Sequence, residues 1–226
     1  MFPGGLQKTQ NARGPIAGLT DAAFSSSLQV SGLTVENIMP KLLNSGVRTR
    51  LIEAAVRLAH QHGFGNTRLA DIAKAAKVPP GNLYYYFKTK EEIGEAIVER
   101  RFAEWSAAQE ELGKVLSPKE RLCGFVLISL RNREIVAQFG CPMGTFCSEL
   151  NKEGGVLAKK ASQYFTDLLA WVEAQFRDFC AKGEARGHAL HLLSAIQGAM
   201  VLAYYSKEPD LIKIEATRLV DWVRSL

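Results

Sequence analysis

The sequence has only four cysteines among its 226 residues, and their spacing excludes a compact disulfide framework. Cys123, Cys141, Cys147 and Cys180 include no Cys-x-x-Cys pair, the spacing typical of small redox and zinc sites. Isolated cysteines of this kind are typical of proteins in a reducing cytosol, where thiols remain free. We therefore expect a cytoplasmic protein with free thiols.

Long apolar runs and a leader sequence are also lacking. No run approaches the roughly twenty apolar residues that a membrane-spanning helix requires. The N-terminus lacks the charged start followed by an apolar segment that marks a signal peptide. A composition of 47% hydrophobic and 23% charged residues is ordinary for a soluble globular protein. The sequence predicts a soluble protein without a membrane partner.

The signatures of common enzymes are missing as well. There is no Gly-x-Ser-x-Gly, no His-Glu-x-x-His and no phosphate-binding glycine loop. Cys141 with a distant histidine could form a nucleophilic pair, but no spacing supports it. His188 and His191 could hold one metal, with Cys180 and Glu184 as the nearest further ligands, although such pairs are more often solvated or capping residues. We predict no catalysis, no metal and no cofactor, and keep a small helical enzyme as a distant alternative.

Strand-like alternation is absent, and helical spacing of apolar residues takes its place from about residue 46. A first helix is predicted to end at Gly63. Its apolar face consists of Val47, Leu51, Ala54, Leu58 and Ala59. Residues 1–38 differ, because they are rich in Gly, Ser, Ala and Thr and show no sustained period. We expect them to form a flexible N-terminal extension.

The most informative segment is residues 67–90, where two short helices and a tight turn fit into about twenty residues. Apolar residues of the first helix recur at i, i+3, i+4 and i+7, and Thr67 is placed to cap it. They are Leu69, Ile72, Ala73 and Ala76. The pair Pro79-Pro80 begins the next helix, because proline fits the first turn of a helix but not its interior.

The second of these helices has two distinct faces. Leu83 and Phe87, four residues apart, share an inward face. Asn82, Tyr85 and Tyr86 then point away from the core. Amide and phenol groups can reach base edges and phosphates in the major groove, so this helix has the side chains of a DNA reader.

Together these residues resemble the helix-turn-helix of the TetR family of bacterial transcriptional repressors. The matching positions are Thr67, Ile72, Ala73, Ala76, Val78, Gly81, Leu83, Tyr84, Phe87 and Lys90. Three positions depart: Lys77 replaces the usual turn glycine, Pro79 the usual serine and Tyr86 the usual histidine. Without glycine, residue 77 either avoids a positive φ or is mildly strained. Loss of the serine hydroxyl removes one expected phosphate contact.

The positive charge of the chain lies on this segment and the helix before it. Residues 41–90 carry nine basic and two acidic side chains, a net charge of +7, whereas the rest carries −2. Such a field can neutralise DNA phosphates; the alternative is an ordinary solvated lysine-rich surface. The predicted DNA-binding residues are Arg48, Arg50, Thr67, Arg68, Pro79, Pro80, Gly81, Asn82, Tyr85, Tyr86, Lys88 and Lys90.

After residues 67–90, the pattern of every segment predicts a helix. A capping box at Thr89 and Glu92 opens a long helix to about Leu112, and a cap at Ser117 opens another to about Phe139. The last two predicted helices are 188–206 and 209–225.

The first of these last two helices is apolar on two sides. One side has Leu190, Leu193, Ile196, Met200 and Ala203, and the other has Ala195, Gly198, Ala199 and Leu202. A helix apolar on two sides must bury both, and its small residues permit close approach by a second helix. The resemblance implies that the last two helices form a homodimer interface; a buried helix in a monomer core is the alternative.

Aromatic and soft side chains provide candidates for an effector pocket, although most residues of this kind only fill a core. The candidates are Phe125, Phe139, Cys141, Met143, Phe146, Phe165, Trp171 and Tyr204.

Cys141 has a second interpretation. It lies in the break 140–144, before a short helix expected from Thr145, where exposed backbone amides could lower the pKa of its thiol. Cys141 could then act as an electrophile or redox sensor. The alternative is a packed, inert thiol beside a non-covalent ligand.

The resemblance implies an all-α protein with two domains after the extension. Residues 39–90 would form a three-helix, helix-turn-helix DNA-binding domain, and residues 91–226 a helical effector-binding and dimerisation domain. The expected function is that of a cytoplasmic homodimeric repressor that binds double-stranded operator DNA and is released by a small-molecule effector. Neither the effector nor the operator can be identified from the sequence.

Overall fold

The computed structural model describes residues 46–114 and 117–226, and every regular element among them is a helix. The predicted extension 1–38 and the start of the predicted DNA-binding domain lie outside the described residues. The helices are α1 (Val47–His62), α2 (Leu69–Ala75), α3 (Pro80–Tyr86), α4 (Lys90–Gly113), α5 (Pro118–Arg131), α6 (Arg133–Phe139), α7 (Pro142–Glu153), α8 (Gly155–Arg177), α9 (Ala185–Ser206) and α10 (Asp210–Ser225). The predicted all-α fold is confirmed.

Helices α1, α2 and α3 pack around the apolar faces predicted from the sequence. Leu51 and Ala54 of α1, Ile72 of α2, and Leu83 and Phe87 in and after α3 are at most 3% exposed. Gly63 ends α1 with φ of 84°, a left-handed conformation that glycine adopts without steric cost.

Two details of the turn structure differ from or extend the prediction. Thr67 does not cap α2, because its hydroxyl donates a 2.7 Å hydrogen bond to the carbonyl oxygen of Gly63 at the end of α1.

Lys77, which replaces the usual turn glycine, has φ of 54°. Of the two predicted alternatives for this residue, the structure shows the strained one with a positive φ. The amide of Lys77 bonds Lys74 O and that of Val78 bonds Ala73 O, which together form a Schellman motif.

The long helix α4 begins at the predicted cap. The hydroxyl of Thr89 accepts a hydrogen bond from the Glu92 amide, and the Glu92 carboxylate accepts one from the amide of Lys88. The helix expected from Ser117 to Phe139 is instead two helices, because the chain breaks at Asn132 between α5 and α6. Likewise, α7 begins at Pro142, three residues before the expected Thr145, because proline at the first position favours a helix start.

The buried residues form two cores that share α4 and α8. The N-terminal core contains α1 to α3 and the first half of α4, and it also includes Met143, Phe146, Cys147 and Leu150 of α7. The C-terminal core joins the second half of α4 to α5, α6, α8, α9 and α10. Helix α7 is therefore packed against the three-helix unit rather than within the C-terminal core.

Helix α9 has one buried and one exposed apolar face. Leu192 and Ile196 are at most 2% exposed, whereas Leu202 is 63% and Tyr205 78% exposed. Leu190, predicted on the same apolar face as Ile196, is 47% exposed. Only 33% of the most apolar 18-residue stretch of α9 is buried. By length and composition alone α9 could span a membrane, so the expectation that no apolar run approaches that length is wrong.

Candidate nucleic-acid interface and effector cavity

The outward face of α2 and α3 is open and polar. Asn82 and Tyr85 are exposed, Tyr85 at 77%, and Tyr86 is half-buried with its ring 5.1 Å from that of Tyr85. Arg68, Pro79, Pro80 and Gly81 are exposed at the starts of the two helices. The inward packing of Leu83 and Phe87 fixes this orientation, because α3 is anchored along one side only.

The predicted basic residues are held at the edges of this face by contacts within the chain. The Arg48 guanidinium lies 5.4 Å from the centre of the Phe87 ring, and Arg50 Nε donates to Ala76 O at 3.4 Å. Lys88 Nζ donates to Tyr84 O at 2.7 Å. Because Lys and Arg retain further N–H donors after one such bond, these contacts position them without using their whole capacity.

Lys90 makes two contacts with the turn that follows α1. Its ammonium donates a 2.6 Å hydrogen bond to Gly65 O and lies 5.0 Å from the centre of the Phe64 ring. Lys90 therefore ties the start of α4 to the turn between α1 and α2.

The structure buries one residue of the predicted DNA-binding set and exposes three side chains outside that set. Thr67 is 4% exposed and its hydroxyl is bonded to Gly63 O, so its side chain is unavailable to DNA. Tyr84, Lys74 and Lys77 are exposed on or beside the reader helices but were absent from the predicted set. The sequence signal for these three is their position between the buried residues, which places them on the solvent side.

A cavity of about 170 Å³ lies between α4, α5, α7, α8 and α9 in the C-terminal half of the chain. Its lining is mostly apolar and aromatic. The lining residues are Arg101, Glu104, Trp105, Ala108, Phe125, Ile128, Ser129, Asn132, Val136, Cys141, Pro142, Met143, Tyr164, Phe165, Leu168, Ile196, Gln197 and Met200.

Half of the predicted pocket residues line this cavity, namely Phe125, Cys141, Met143 and Phe165. The other four lie elsewhere. Trp171 does not line the cavity, but its ring centre lies 5.2 Å from that of the lining residue Trp105. Phe146 packs on Phe64 in the N-terminal core, Phe139 packs on His60, and Tyr204 lies under the ammonium of Lys207. The helical spacing of these four residues allowed them to face the cavity, but the packing of the helices directs them to other side chains.

The polar groups of the lining are few, and most have partners. Glu104 forms ion pairs with Arg101 at 2.8 Å and Arg100 at 3.1 Å. Trp105 is 7% exposed, and its indole Nε1–H has no hydrogen-bond partner among the described residues. Burial raises the pKa of Tyr164 to about 12, so its phenol stays protonated and can donate a hydrogen bond.

Cys141 lines the cavity as the N-cap of α7. Its sulfur accepts a 3.4 Å hydrogen bond from the Gly144 amide, which is the helix-end contact predicted to favour the thiolate. Burial outweighs this bond and the smaller effect of Gln197, and the pKa of the Cys141 thiol is raised above its ordinary value. The predicted lowering of this pKa is therefore wrong, and the thiol is protonated at neutral pH.

Helix α7 joins the cavity to the three-helix unit through two polar contacts. At its C-terminal half, the Glu149 carboxylate accepts hydrogen bonds from the amides of Phe64, at 2.7 Å, and Gly65 in the turn after α1. Just before its N-terminus, the carbonyl of Gly140 lies 2.8 Å from His60 Nε2. Burial lowers the pKa of His60, although the bond to Gly140 opposes this effect. A neutral imidazole with hydrogen on Nε2 fits the carbonyl acceptor.

The two histidines that were considered as a possible metal pair pack against an aromatic ring. His188 and His191 lie 5.5 and 4.7 Å from the Trp222 ring centre. Within residues 46–114 and 117–226, no three His, Cys, Asp or Glu side chains come together as a metal site.

Residues 51–97 match the family model described as "Bacterial regulatory proteins, tetR family". The chain is 35% identical over 130 residues to the HTH-type transcriptional repressor NemR of Escherichia coli K12, and this match covers 58% of the chain and 59% of NemR. It is 33% identical over 84 residues to the repressor KstR2 of Mycolicibacterium smegmatis, covering 36% of the chain and 40% of KstR2. The matched region therefore spans less than two thirds of either curated relative.

Solved structures extend the likeness to most of the fold. A TetR transcriptional regulator from Legionella pneumophila superposes with a TM-score of 0.69 at 19% identity, covering 80% of the chain and 98% of the regulator. The reduced form of E. coli NemR gives a TM-score of 0.65 at 22% identity over 77% of the chain and 95% of NemR. The family model therefore matches the helix-turn-helix region, and the solved structures show that the described part of the chain has the fold of TetR-family regulators.

Proposed function

We propose that this protein is a DNA-binding transcriptional repressor that reads operator DNA with α3. The observation that carries the proposal is the open face of α3, where Asn82 and Tyr85 project between exposed basic side chains. Amide and phenol groups beside cations suit base edges and phosphates. The match of residues 51–97 to the tetR family model and the repressor names of the curated relatives support the same function.

The active species in this proposal is a cytoplasmic homodimer paired through α9 and α10. Leu190, Val201, Leu202 and Tyr205 form an exposed apolar stripe on α9, and Ile214 on α10 is 38% exposed. An apolar stripe of this kind is costly in water and is covered when a second copy packs against it. The same pairing would explain why α9 is apolar enough to span a membrane although the protein binds DNA.

Release from DNA would begin at the cavity and pass through α7. Cys141, Pro142 and Met143 at the start of α7 line the cavity, and Glu149 near its other end holds the turn that precedes α2. A ligand that moves α7 would therefore move the reader helices of each subunit. DNA presents equivalent groove positions about 34–36 Å apart, so a small change in reader separation removes one half-site from contact.

Catalysis and thiol sensing are less well supported than repression that is released by a non-covalent effector. His60 contacts the carbonyl of Gly140, not the thiol of Cys141, so no nucleophile–base pair is formed by these two residues. The raised pKa of Cys141 opposes a reactive thiolate and favours a non-covalent effector.

A footprint on the DNA upstream of the gene for this protein tests the proposal. We expect protection of a pseudo-palindrome whose half-sites lie about one helical turn apart. A promoter reporter should then lose expression when the protein is present. Absence of protection at protein concentrations that already bind random DNA would contradict the proposal, and increased expression would make the protein an activator.

A further inference from the structure

The ammonium of Lys90 is held by two consecutive residues of the turn between α1 and α2. It donates a 2.6 Å hydrogen bond to the carbonyl oxygen of Gly65 and lies 5.0 Å from the centre of the Phe64 ring. A lysine ammonium has three N–H donors, so further donors remain after the bond to Gly65. The turn therefore fixes the position of this cation and leaves it able to bind an anion.

Helix α7 contacts the same two residues of the turn. The Glu149 carboxylate accepts hydrogen bonds from the amide of Phe64, at 2.7 Å, and from the amide of Gly65. Phe146, three residues earlier on α7, packs edge-to-face on Phe64 with 5.3 Å between the ring centres. Gly65 is thus bound through its amide to Glu149 and through its carbonyl to Lys90. Both turn residues that position the Lys90 ammonium are therefore held by α7.

Glu149 fits closely against the turn because Gly65 has no side chain. A Cβ atom on Gly65 would lie 2.8 Å from Oε1 of Glu149, too close for the carboxylate to stay in place. The φ angle of Gly65 is not positive, so its backbone does not require glycine. Gly65→Ala would therefore displace the carboxylate from the turn without changing the charge of the protein.

Lys90 lies next to the reader helix, in the most basic part of the chain. It is the first residue of α4, and α3 ends four residues earlier at Tyr86. Residues 41–90 carry a net charge of +7, which suits DNA phosphates. A lysine that is already held in place loses less side-chain freedom when it binds a phosphate, so its contact is tighter than that of a freely moving lysine.

We infer that Glu149 is a positioning residue for DNA binding, which acts through the backbone of Gly65 to hold Lys90 where it binds a phosphate. This inference deepens the proposed function and rests on it, because it assigns a residue of α7 to the DNA contact made at the start of α4. The first residues of α7 line the cavity, so the same contacts give an effector a route to one phosphate contact in each subunit.

Glu149→Gln and Gly65→Ala test this role by different changes. The first weakens the acceptor and removes a negative charge, a loss that by itself would strengthen attraction to DNA. The second displaces the carboxylate and leaves the charge unchanged. Both variants should bind the footprinted duplex about fivefold or more weakly, because Lys90 must then be ordered on binding in each subunit of the dimer.

Two matched variants control for the lost charge and for the added methyl group. Glu153→Gln removes the same charge from an exposed position on α7. Gly113→Ala adds a methyl group at the end of α4, where it meets open space. Both should bind the duplex at least as tightly as the native protein. Titration at DNA concentrations far above Kd gives the active fraction of each preparation, so partial unfolding is not mistaken for weaker binding.

The dependence on Lys90 separates positioning from a general structural role. Lys90→Gln should lower the slope of log affinity against log salt by about one per subunit. In the Lys90→Gln background, Glu149→Gln and Gly65→Ala should each change the affinity by less than about twofold. Native affinity in either folded single variant, or an equal loss with and without Lys90, would overturn the inference. If one of the two variants does not fold, the other decides.

Failure of this inference can be distinguished from failure of the proposed function. Phosphate contacts carry no sequence information, so the same comparison can be made on a random duplex. A chain that protects its upstream DNA but shows no coupling between Glu149 and Lys90 keeps the repressor function and loses the positioning role. A chain that shows the coupling on random DNA but protects no upstream site keeps the positioning role and loses the repressor function.

Discussion

The carboxylate of Glu149 accepts a 2.7 Å hydrogen bond from the backbone amide of Phe64, across 85 positions of sequence. The same carboxylate also binds the amide of Gly65. Glu149 belongs to α7, which lines the cavity at its other end, whereas Phe64 and Gly65 precede the reader helices. This pair is therefore a direct polar contact between the candidate effector site and the candidate DNA-binding unit.

Glu149→Gln should loosen the turn after α1. A neutral amide oxygen is a weaker acceptor than a carboxylate, so we expect a loss of about 1–2 kcal/mol of unfolding free energy. Amide hydrogen exchange at Phe64 and Gly65 should become faster. Glu153→Gln, an exposed change on the same helix, is the control and should leave both amides unchanged. Unaltered exchange in Glu149→Gln would show that the contact does not hold the turn.

Lys77→Gly should stabilise the protein by about 0.5–1 kcal/mol. A left-handed conformation costs a residue with a Cβ about 1–2 kcal/mol, part of which glycine returns through its greater unfolded-state entropy. Lys77 has φ of 54° and an exposed side chain. Lys77→Ala is the matched control, since it removes the same charge but keeps the strain. Chemical denaturation that finds the two variants equally stable would contradict this account of residue 77.

Leu202→Glu should separate the proposed dimer. The symmetry of the pairing would place two such charges in one apolar interface, and a buried unpaired charge costs several kcal/mol. Light scattering after gel filtration should give a monomer mass at micromolar concentration. Val156→Glu is the control, because Val156 is similarly exposed, at 69%, but lies on α8, outside the proposed α9–α10 interface. A Leu202→Glu variant that remains dimeric would move the interface away from this stripe.

Cys141 should alkylate no faster than Cys180 under native conditions at neutral pH. Burial raises the pKa of both thiols, so neither forms much thiolate. Mass spectrometry after timed iodoacetamide treatment measures both rates. Faster labelling of Cys141, accompanied by loss of DNA binding that Cys141→Ser prevents, would restore the thiol-sensor hypothesis.

The reader and its inward anchors could be predicted from sequence because their signals are local. Leu83 and Phe87 follow the helical period, Pro80 starts α3, and Thr89 caps α4 through a bond three residues away. The conformation of Lys77 could be narrowed to two alternatives but not decided, since strain depends on the surrounding packing.

The cavity could not be predicted to the same extent because it depends on how distant helices pack. Phe139 and Phe146 have the same spacing and chemistry as Phe125, yet the structure packs them on His60 and Phe64. Trp105, whose indole donor is unsatisfied, had no distinguishing sequence signal. The pKa of Cys141 was also mispredicted, because the helix-end amide was visible in the sequence but the burial was not.

The most direct test of the repressor function compares Tyr85→Ala with the native protein on the footprinted duplex and on a random duplex of equal length. Tyr85 is 77% exposed on α3, and we expect its removal to cost about 1–3 kcal/mol on the operator and little on random DNA. Val156→Ala, at 69% exposure on α8, is the control for losing an exposed side chain outside both α3 and the proposed dimer stripe. It should keep the operator preference of the native protein. Fluorescence anisotropy at fixed salt gives the dissociation constants of the native protein and of each variant on the operator duplex and on the random duplex. The account predicts a preference for operator over random DNA that falls about fivefold or more in Tyr85→Ala, and an unchanged preference in that variant would contradict it.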